Sequence, residues 1–190
     1  MSGYTLSDLT KIDWIAADWG TTNLRVWAMQ GAIPLADATS GDGMAGLTPE
    51  AFEPALLNLI SGWLGATQLP VIACGMVGAK QGWVEVPYMA VPTLPLARPI
   101  PVSTNSAALS VYIIPGLRQP KPADVMRGEE TQVAGFLALN PGWDGVICMP
   151  GTHTKWVLVS AGEVVSFQTF MTGELFATLG KHTVLRHSIS

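Results

Sequence analysis

Apolar runs of strand length recur along the chain, broken by glycine, threonine and proline. DWIAADWG (13–20) and LRVWAMQG (24–31) read as two strands joined by a tight turn through Gly20, Thr21 and Thr22. IPLADATS (33–40) reads as a third strand. LTPEAFEPALLNLISGWLG (47–65) changes to a helical period, with Phe52, Leu56, Leu59, Ile60 and Trp63 on one face. Thr48 is its expected cap and Pro49 suits its first position. Glu50 and Glu53 favour its positive end. PVIACGMVG (70–78) is expected to be a buried strand entering a glycine loop, and AALSVYIIPGL (107–117) another strand.

DVMRGEETQVAGFLAL (124–139) reads as a strand end, a glycine hinge and a helix that opens on Glu129 and Glu130. GVICMPGTHTKWVLVSAGEVVSFQTFM (145–171) reads as three consecutive strands, and TGELFATLGKHTVL (172–185) begins a helix. A strand meander followed by alternating helices and strands predicts an α/β fold, a mixed sheet with flanking helices. The meander starting again near residue 145 points to an internal duplication. Aligned with Gly20-Thr21 over Gly151-Thr152, both copies are apolar strand, Gly-Thr turn, apolar strand. Met149 then stands where Asp18 stands.

Composition narrows the classes. The chain has 190 residues, 48% hydrophobic and 13% charged, with a net charge of −4. The basic residues are scattered, so no electrostatic footprint for nucleic acid is present. No uninterrupted apolar run reaches the ~20 residues of a membrane helix. The opening MSGYTLSDLTKID lacks a basic-then-apolar signal pattern. Cys74 and Cys148 sit in apolar runs and are expected to be buried, reduced thiols of a cytoplasmic protein.

The turns carry the candidate chemistry. A Gly-Thr turn can aim backbone N–H groups and hydroxyls at one point, which suits phosphate oxygens. A carboxylate beside it becomes useful if Mg²⁺ lies between them. Asp18 is therefore a candidate metal ligand, and Gly20, Thr21 and Thr22 candidate phosphate contacts. Gly151, Thr152, His153 and Thr154 form the second candidate phosphate turn, with Lys155 placed to neutralise charge. The competing reading is two hairpins whose residues serve turn geometry alone. In RGEET (127–131), Glu129 and Glu130 either stabilise a helix start or supply a general base for a sugar hydroxyl. The loop GMVGAKQGWVEVPY (75–88) offers Lys80, Gln81, Trp83 and Glu85 as binding residues, with Trp83 alternatively in the core. GDGMAG (41–46) matches a dinucleotide fingerprint in letters only, because its helix starts too late. His153, His182 and His187 have no zinc-ligand spacing.

DWGTTNLRVW, CGMVGAKQGWVEVPY, RGEETQV, PGTHTKWV and FMTGELFA, in this order, resemble the 2-dehydro-3-deoxygalactonokinase family. The resemblance runs from about residue 12 to about residue 185. It implies the ribonuclease H-like fold of the actin and hexokinase superfamily, as a domain over 1–140 and the start of a second over 141–190. It implies ATP-dependent, Mg²⁺-assisted phosphorylation of 2-dehydro-3-deoxy-D-galactonate on its 6-hydroxyl, in galactonate breakdown. Asp18 would lie near Mg²⁺, and DWGTT and GTHTK would be the two phosphate motifs. Glu129 or Glu130 would be the superfamily's acidic residue, with Glu130 favoured. Lys80, Gln81, Trp83, Glu85 and Arg25 would meet the sugar acid. The expected partners are the sugar acid and ATP, with no nucleic acid and no membrane.

Family members are longer, and HTVLRHSIS is reached without the adenosine-binding glycine motif. The expectation is therefore a second domain that is truncated, prone to self-association and short of an adenosine site. Two rival readings stay open: a non-catalytic sugar-acid-binding homologue, and a phosphoanhydride hydrolase of the same superfamily.

Overall fold

A computed structural model of the protein describes residues 11–188, so most of the polar opening stretch lies outside the described residues. The chain divides into two compact units. Unit 1 comprises residues 1–88 and 96–116; unit 2 comprises 89–95 and 117–190. The chain thus passes between units at Tyr88/Met89, at Pro95/Leu96 and at Gly116/Leu117.

Unit 1 is built on a six-stranded mixed sheet. β1 (Trp14–Trp19), β2 (Leu24–Gln30) and β3 (Ile33–Ser40) form the expected antiparallel meander. β4 (Leu69–Gly75) and β7 (Leu109–Ile113) continue it in parallel, and β6 (Ile100–Val102) closes the edge antiparallel to β7. Strand burial alternates strictly in β1 and β4, so every second side chain enters the core. α1 (Phe52–Ile60) buries Phe52, Leu56 and Ile60 against Ile15, Val26, Val71 and Val111. Burying such a side chain fully stabilises by roughly 1.5–3 kcal/mol, which is why this face and not helix propensity fixes the helix.

Two local expectations are corrected. Thr48 makes no side-chain cap bond, because a 3-10 turn (Pro49–Ala51) precedes α1. Glu53 does more than favour the helix dipole. It is buried, and its carboxylate accepts N–H bonds from Asn105 (2.9 Å) and Ser106 (2.7 Å), which ties the loop before β7 to α1.

Unit 2 has two three-stranded sheets. β10 (Gly145–Met149), β11 (His153–Ser160) and β12 (Glu163–Met171) form the second antiparallel meander. β5 (Met89–Ala90), β8 (Leu117–Pro120) and β9 (Ala123–Met126) form the other sheet. The segment 89–95 is held on both sides: β5 pairs with β8, and Thr93 bridges Val164 of β12. α2 (Glu129–Leu139) buries Val133 in a core with Leu117, Met126, Val157, Val159, Val164 and Phe167. α3 (Gly173–His182) follows β12. The meanders correspond in detail, each carrying a register shift between its second and third strands, at Ala28/Met29 and at Leu158/Val159. Cys74 is half-buried and Cys148 is exposed, contrary to the expected burial of both; neither is in a disulfide.

Candidate active site

In unit 1, β1 and β4 run parallel and end together, with Asp18 beside Cys74 and Trp19 beside Gly75. The Gly20–Asn23 turn leaves one strand and the loop 76–88 leaves the other. In open α/β sheets the carboxyl ends of parallel strands are the common place for ligands. Trp19 is fully buried and donates from its indole Nε1 to the Asp42 carbonyl (2.8 Å). Asp18, the residue before it, therefore points to the opposite face and keeps its carboxylate partly exposed at the strand tip. Arg25, opposite Asp18 in the register, has its Nη1 3.9 Å from the carboxylate.

The Gly-Thr turn is closed by the Gly20 N–H to the Asn23 carbonyl (2.9 Å). It is then braced from outside. After β3 the chain returns, and the N–H groups of Met44 and Ala45 bond the carbonyls of Gly20 and Thr21 (3.0 and 2.9 Å). Gly43 makes this approach possible, since a Cβ there would stand 2.2 Å from the Thr22 carbonyl carbon. GDGMAG is thus a brace for the turn, a role its letters do not disclose.

The loop after β4 is folded on itself by N–H bonds from Trp83 to Val77 O (2.8 Å) and Val86 to Gly78 O (3.0 Å). Lys80, Gln81 and Glu85 are exposed on it. The Trp83 ring is half-buried, packing 6.2 Å from both Trp19 and Phe52. Its ring supports the base of the loop, which is the core role the sequence held as an alternative.

In unit 2, α2 opens with Gly128 at φ 108°, a backbone suited to glycine. Glu129 is half-buried, and its Oε2 accepts the Arg127 N–H (3.0 Å). Glu130 is fully buried, and both its carboxylate oxygens accept the Gly128 N–H (2.9 and 2.7 Å). Burial pushes the Glu130 carboxyl up to about 7. Hydrogen bonds from its own and the Gly128 backbone oppose the rise, as does Arg127, while Glu129 adds to it. The sequence favoured Glu130 as base; the carboxylate that solvent reaches is that of Glu129.

The second turn repeats the brace. After β12 the N–H groups of Gly173 and Glu174 bond the carbonyls of Gly151 and Thr152 (3.2 and 3.1 Å), matching Met44 and Ala45 on Gly20 and Thr21. Gly173 is again compelled, because a Cβ would stand 2.7 Å from Gly151 O. Thr172 Oγ1 meets Thr154 Oγ1 at 2.6 Å and donates to Gly151 O at 3.2 Å. His153 Nε2 lies 2.6 Å from Glu174 Oε2, with both side chains about half-exposed. Gly151 and Thr152 are exposed at the turn, as Thr21 and Thr22 are in the first. Lys155 is different. It is buried, and its ammonium donates to Val125 O (2.7 Å) and Thr169 Oγ1 (2.6 Å), with Asp124 at 3.9 Å. Its charge is engaged inside unit 2. The missed signal is parity: Lys155 shares the period-2 face of Val157 and Val159.

Among the described residues no three His, Cys, Asp or Glu side chains gather as a metal cluster. A divalent cation at Asp18 would have one carboxylate, with the remaining ligands from water and from a bound phosphate. That all-oxygen, water-rich donor set fits Mg²⁺.

The family model described as 2-keto-3-deoxy-galactonokinase matches residues 18–190. A Rhizobium meliloti protein described as a 2-dehydro-3-deoxygalactonokinase is 40% identical over 184 residues, covering 92% of this chain and 58% of its own length. The Escherichia coli 2-dehydro-3-deoxygalactonokinase is 38% identical over 178 residues, covering 93% and 58%. A crystal structure from Sinorhizobium meliloti, described as that of a 2-dehydro-3-deoxygalactonokinase protein, superposes with a TM-score of 0.83 at 38% identity. It is covered to 60%, and this chain to 93%. The chain thus spans about three-fifths of the length of the relatives it matches.

Proposed function

Since the chain belongs to the 2-keto-3-deoxy-galactonokinase family, we propose that it serves the ATP-dependent phosphorylation of 2-dehydro-3-deoxy-D-galactonate on its 6-hydroxyl. The observation that carries this reading is the repeated device: two Gly-Thr turns, each held by the same pair of N–H bonds from a returning chain. A hairpin turn used only for reversal needs no such external brace. A turn that must keep its N–H and hydroxyl groups aimed at a polyphosphate does, since phosphoryl transfer depends chiefly on positioning and charge neutralisation.

On this reading Gly20, Thr21 and Thr22 are the phosphate contacts of unit 1, and Gly151, Thr152, His153 and Thr154 those of unit 2. Asp18 holds Mg²⁺, directly or through water. Bound Mg²⁺ supplies charge neutralisation at the phosphoryl oxygens. Arg25, near Asp18, and Lys80, Gln81 and Glu85, exposed on the loop after β4, supply polar groups for a hydroxylated, anionic sugar acid. Glu129 takes the proton from the 6-hydroxyl, because a base must come within hydrogen-bond reach of that proton. Glu130 fixes the Gly128 peptide beneath it. Lys155 ties β11 to β9 and β12 and touches no ligand.

An ADP-release assay with ATP, Mg²⁺ and 2-dehydro-3-deoxy-D-galactonate tests the proposal. ADP release that requires the sugar acid supports it. Phosphate release independent of the sugar acid supports the hydrolase instead, and sugar-acid binding without turnover supports the non-catalytic homologue. Glu129→Gln should lower kcat with KM little changed, the mark of a group used in the transition state.

A further inference from the structure

The two braces make the same pair of backbone N–H bonds and differ in their side chains, Met44 and Ala45 in the first against Gly173 and Glu174 in the second. Ala45 donates its N–H to Thr21 O in the first, and Glu174 donates its N–H to Thr152 O in the second. The first copy shows that the brace needs no carboxylate. The Glu174 side chain has a different use, and its partner names it: Oε2 lies 2.6 Å from His153 Nε2, within the second turn. A carboxylate only accepts, so Nε2 carries a hydrogen and donates it. Nδ1 is then the ring nitrogen left for a ligand. The backbone that carries Glu174 is held in place, since Gly173 has no room for a Cβ against Gly151 O and Thr172 is bonded to both Thr154 and Gly151. An ion pair this exposed adds little to stability. What it provides is orientation.

We propose that Glu174 is a positioning residue, fixing the His153 ring through Nε2 so that Nδ1 donates to an oxygen of a polyphosphate seated on the second Gly-Thr turn. The choice of ligand rests on the kinase reading; the positioning does not. In the complex the ring carries a proton on each nitrogen, the second taken from solvent, and stands as a cation between the Glu174 carboxylate and the phosphate. The duplicated hairpins then use their carboxylates oppositely. Asp18 stands on the strand and faces a cation, whereas Glu174 stands on the brace and faces a histidine.

The sign of one substitution separates this from a bland surface pair. Removing a carboxylate beside an anion site should by electrostatics alone strengthen anion binding. If Glu174 positions His153, Glu174→Ala should instead weaken inorganic tripolyphosphate binding by about tenfold. Glu174→Gln, whose carbonyl can still accept from Nε2, should fall between it and the parent. Calorimetry on the whole chain reads the affinity, and imidazole ¹⁵N NMR reads the ring. The parent should show the Nε2–H form free and a protonated Nδ1 with tripolyphosphate; Glu174→Ala should show mixed tautomers. The proposal is overturned by unchanged or tighter binding in Glu174→Ala, by a His153 Nδ1 that ignores tripolyphosphate, or by a parent that does not bind it. Tripolyphosphate binding with the His153 response, but without transfer to the sugar acid, would support this proposal and sink the kinase reading. Transfer unaffected by Glu174→Ala would do the reverse.

Discussion

The two meanders share a backbone plan and live in different surroundings. β1 lies between β2 and β4 in a six-stranded sheet, and the face carrying Ile15, Ala17 and Trp19 is covered by α1. Among the described residues β10 has a neighbour on one side only, and β11 buries Val157 and Val159 on one face while Trp156 and Leu158 are exposed on the other. The first copy sets Asp18 at a strand tip in reach of solvent. The second unit sets Glu130 inside, at the start of a helix. Burial, not residue type, separates these two carboxylates.

The sharpest way to break this comparison is Asp18→Asn. The amide nearly matches the carboxylate in size and cannot hold Mg²⁺ against phosphate. Phosphoryl transfer should fall by about 100-fold or more, comparable to losing a preorganised electrostatic contact. Unfolding midpoints should stay put. A variant keeping more than about a tenth of the rate would remove the metal role from Asp18.

Glu130→Gln should act on stability. A carboxyl raised from 4.5 to about 7 in the folded state binds its proton more tightly there than in the unfolded chain. The contribution of this group to stability is then greatest below about 4.5, is lost as pH rises through about 7 and is constant above. The integrated loss is roughly 3 kcal/mol. The glutamine variant should lack that slope and unfold later than the parent at pH ~8. Denaturant titrations at several pH values read it directly; equal slopes would mean that Glu130 does not carry the buried proton.

The braces themselves can be compared. Gly43→Ala drives a methyl against backbone at 2.2 Å, and Gly173→Ala against a carbonyl oxygen at 2.7 Å. The first should cost roughly 3 kcal/mol and the second roughly 2, within the range for forced overpacking. Thermal unfolding reads both. A reversed order would show that the second turn is the stiffer one.

The two faces of β11 give the smallest effects. Val157→Ala should cost roughly 2 kcal/mol, and Trp156→Lys within about 0.5 kcal/mol. Sedimentation velocity on Trp156→Lys also tests the self-association expected from the sequence, which should weaken if this face mediates it.

Much of this was legible in the residues. The three strands of each meander, the Phe52-Leu56-Ile60 face of α1 and the helix opening at Glu129 follow from periodicity and turn chemistry. Even the duplication was readable, because Gly-Thr between apolar runs is a local pattern. What escaped were relations across the fold. Gly43 matters only because residues 20–23 lie against it, and Glu53 because the loop at Asn105 and Ser106 does. Glu174 meets His153 only after β12 has brought the chain back. Lys155 was a different kind of miss. Charge suggested a ligand, while its parity with Val157 and Val159 pointed inward.

The interleaving of the chain has a practical meaning for dissection. Residues 89–95 belong with β8 and β12, yet they are flanked on both sides by chain that belongs to unit 1. A single cut at Gly116 strips the later piece of the segment that pairs with Leu117, Arg118 and Val164, and leaves it on the earlier piece with nothing to pair. The two halves of this molecule are not interchangeable modules on a string, and neither can be obtained by shortening the gene from one end. A designer wanting unit 2 alone must graft 89–95 onto Leu117 through a new linker, and one wanting unit 1 alone must bridge Tyr88 to Leu96.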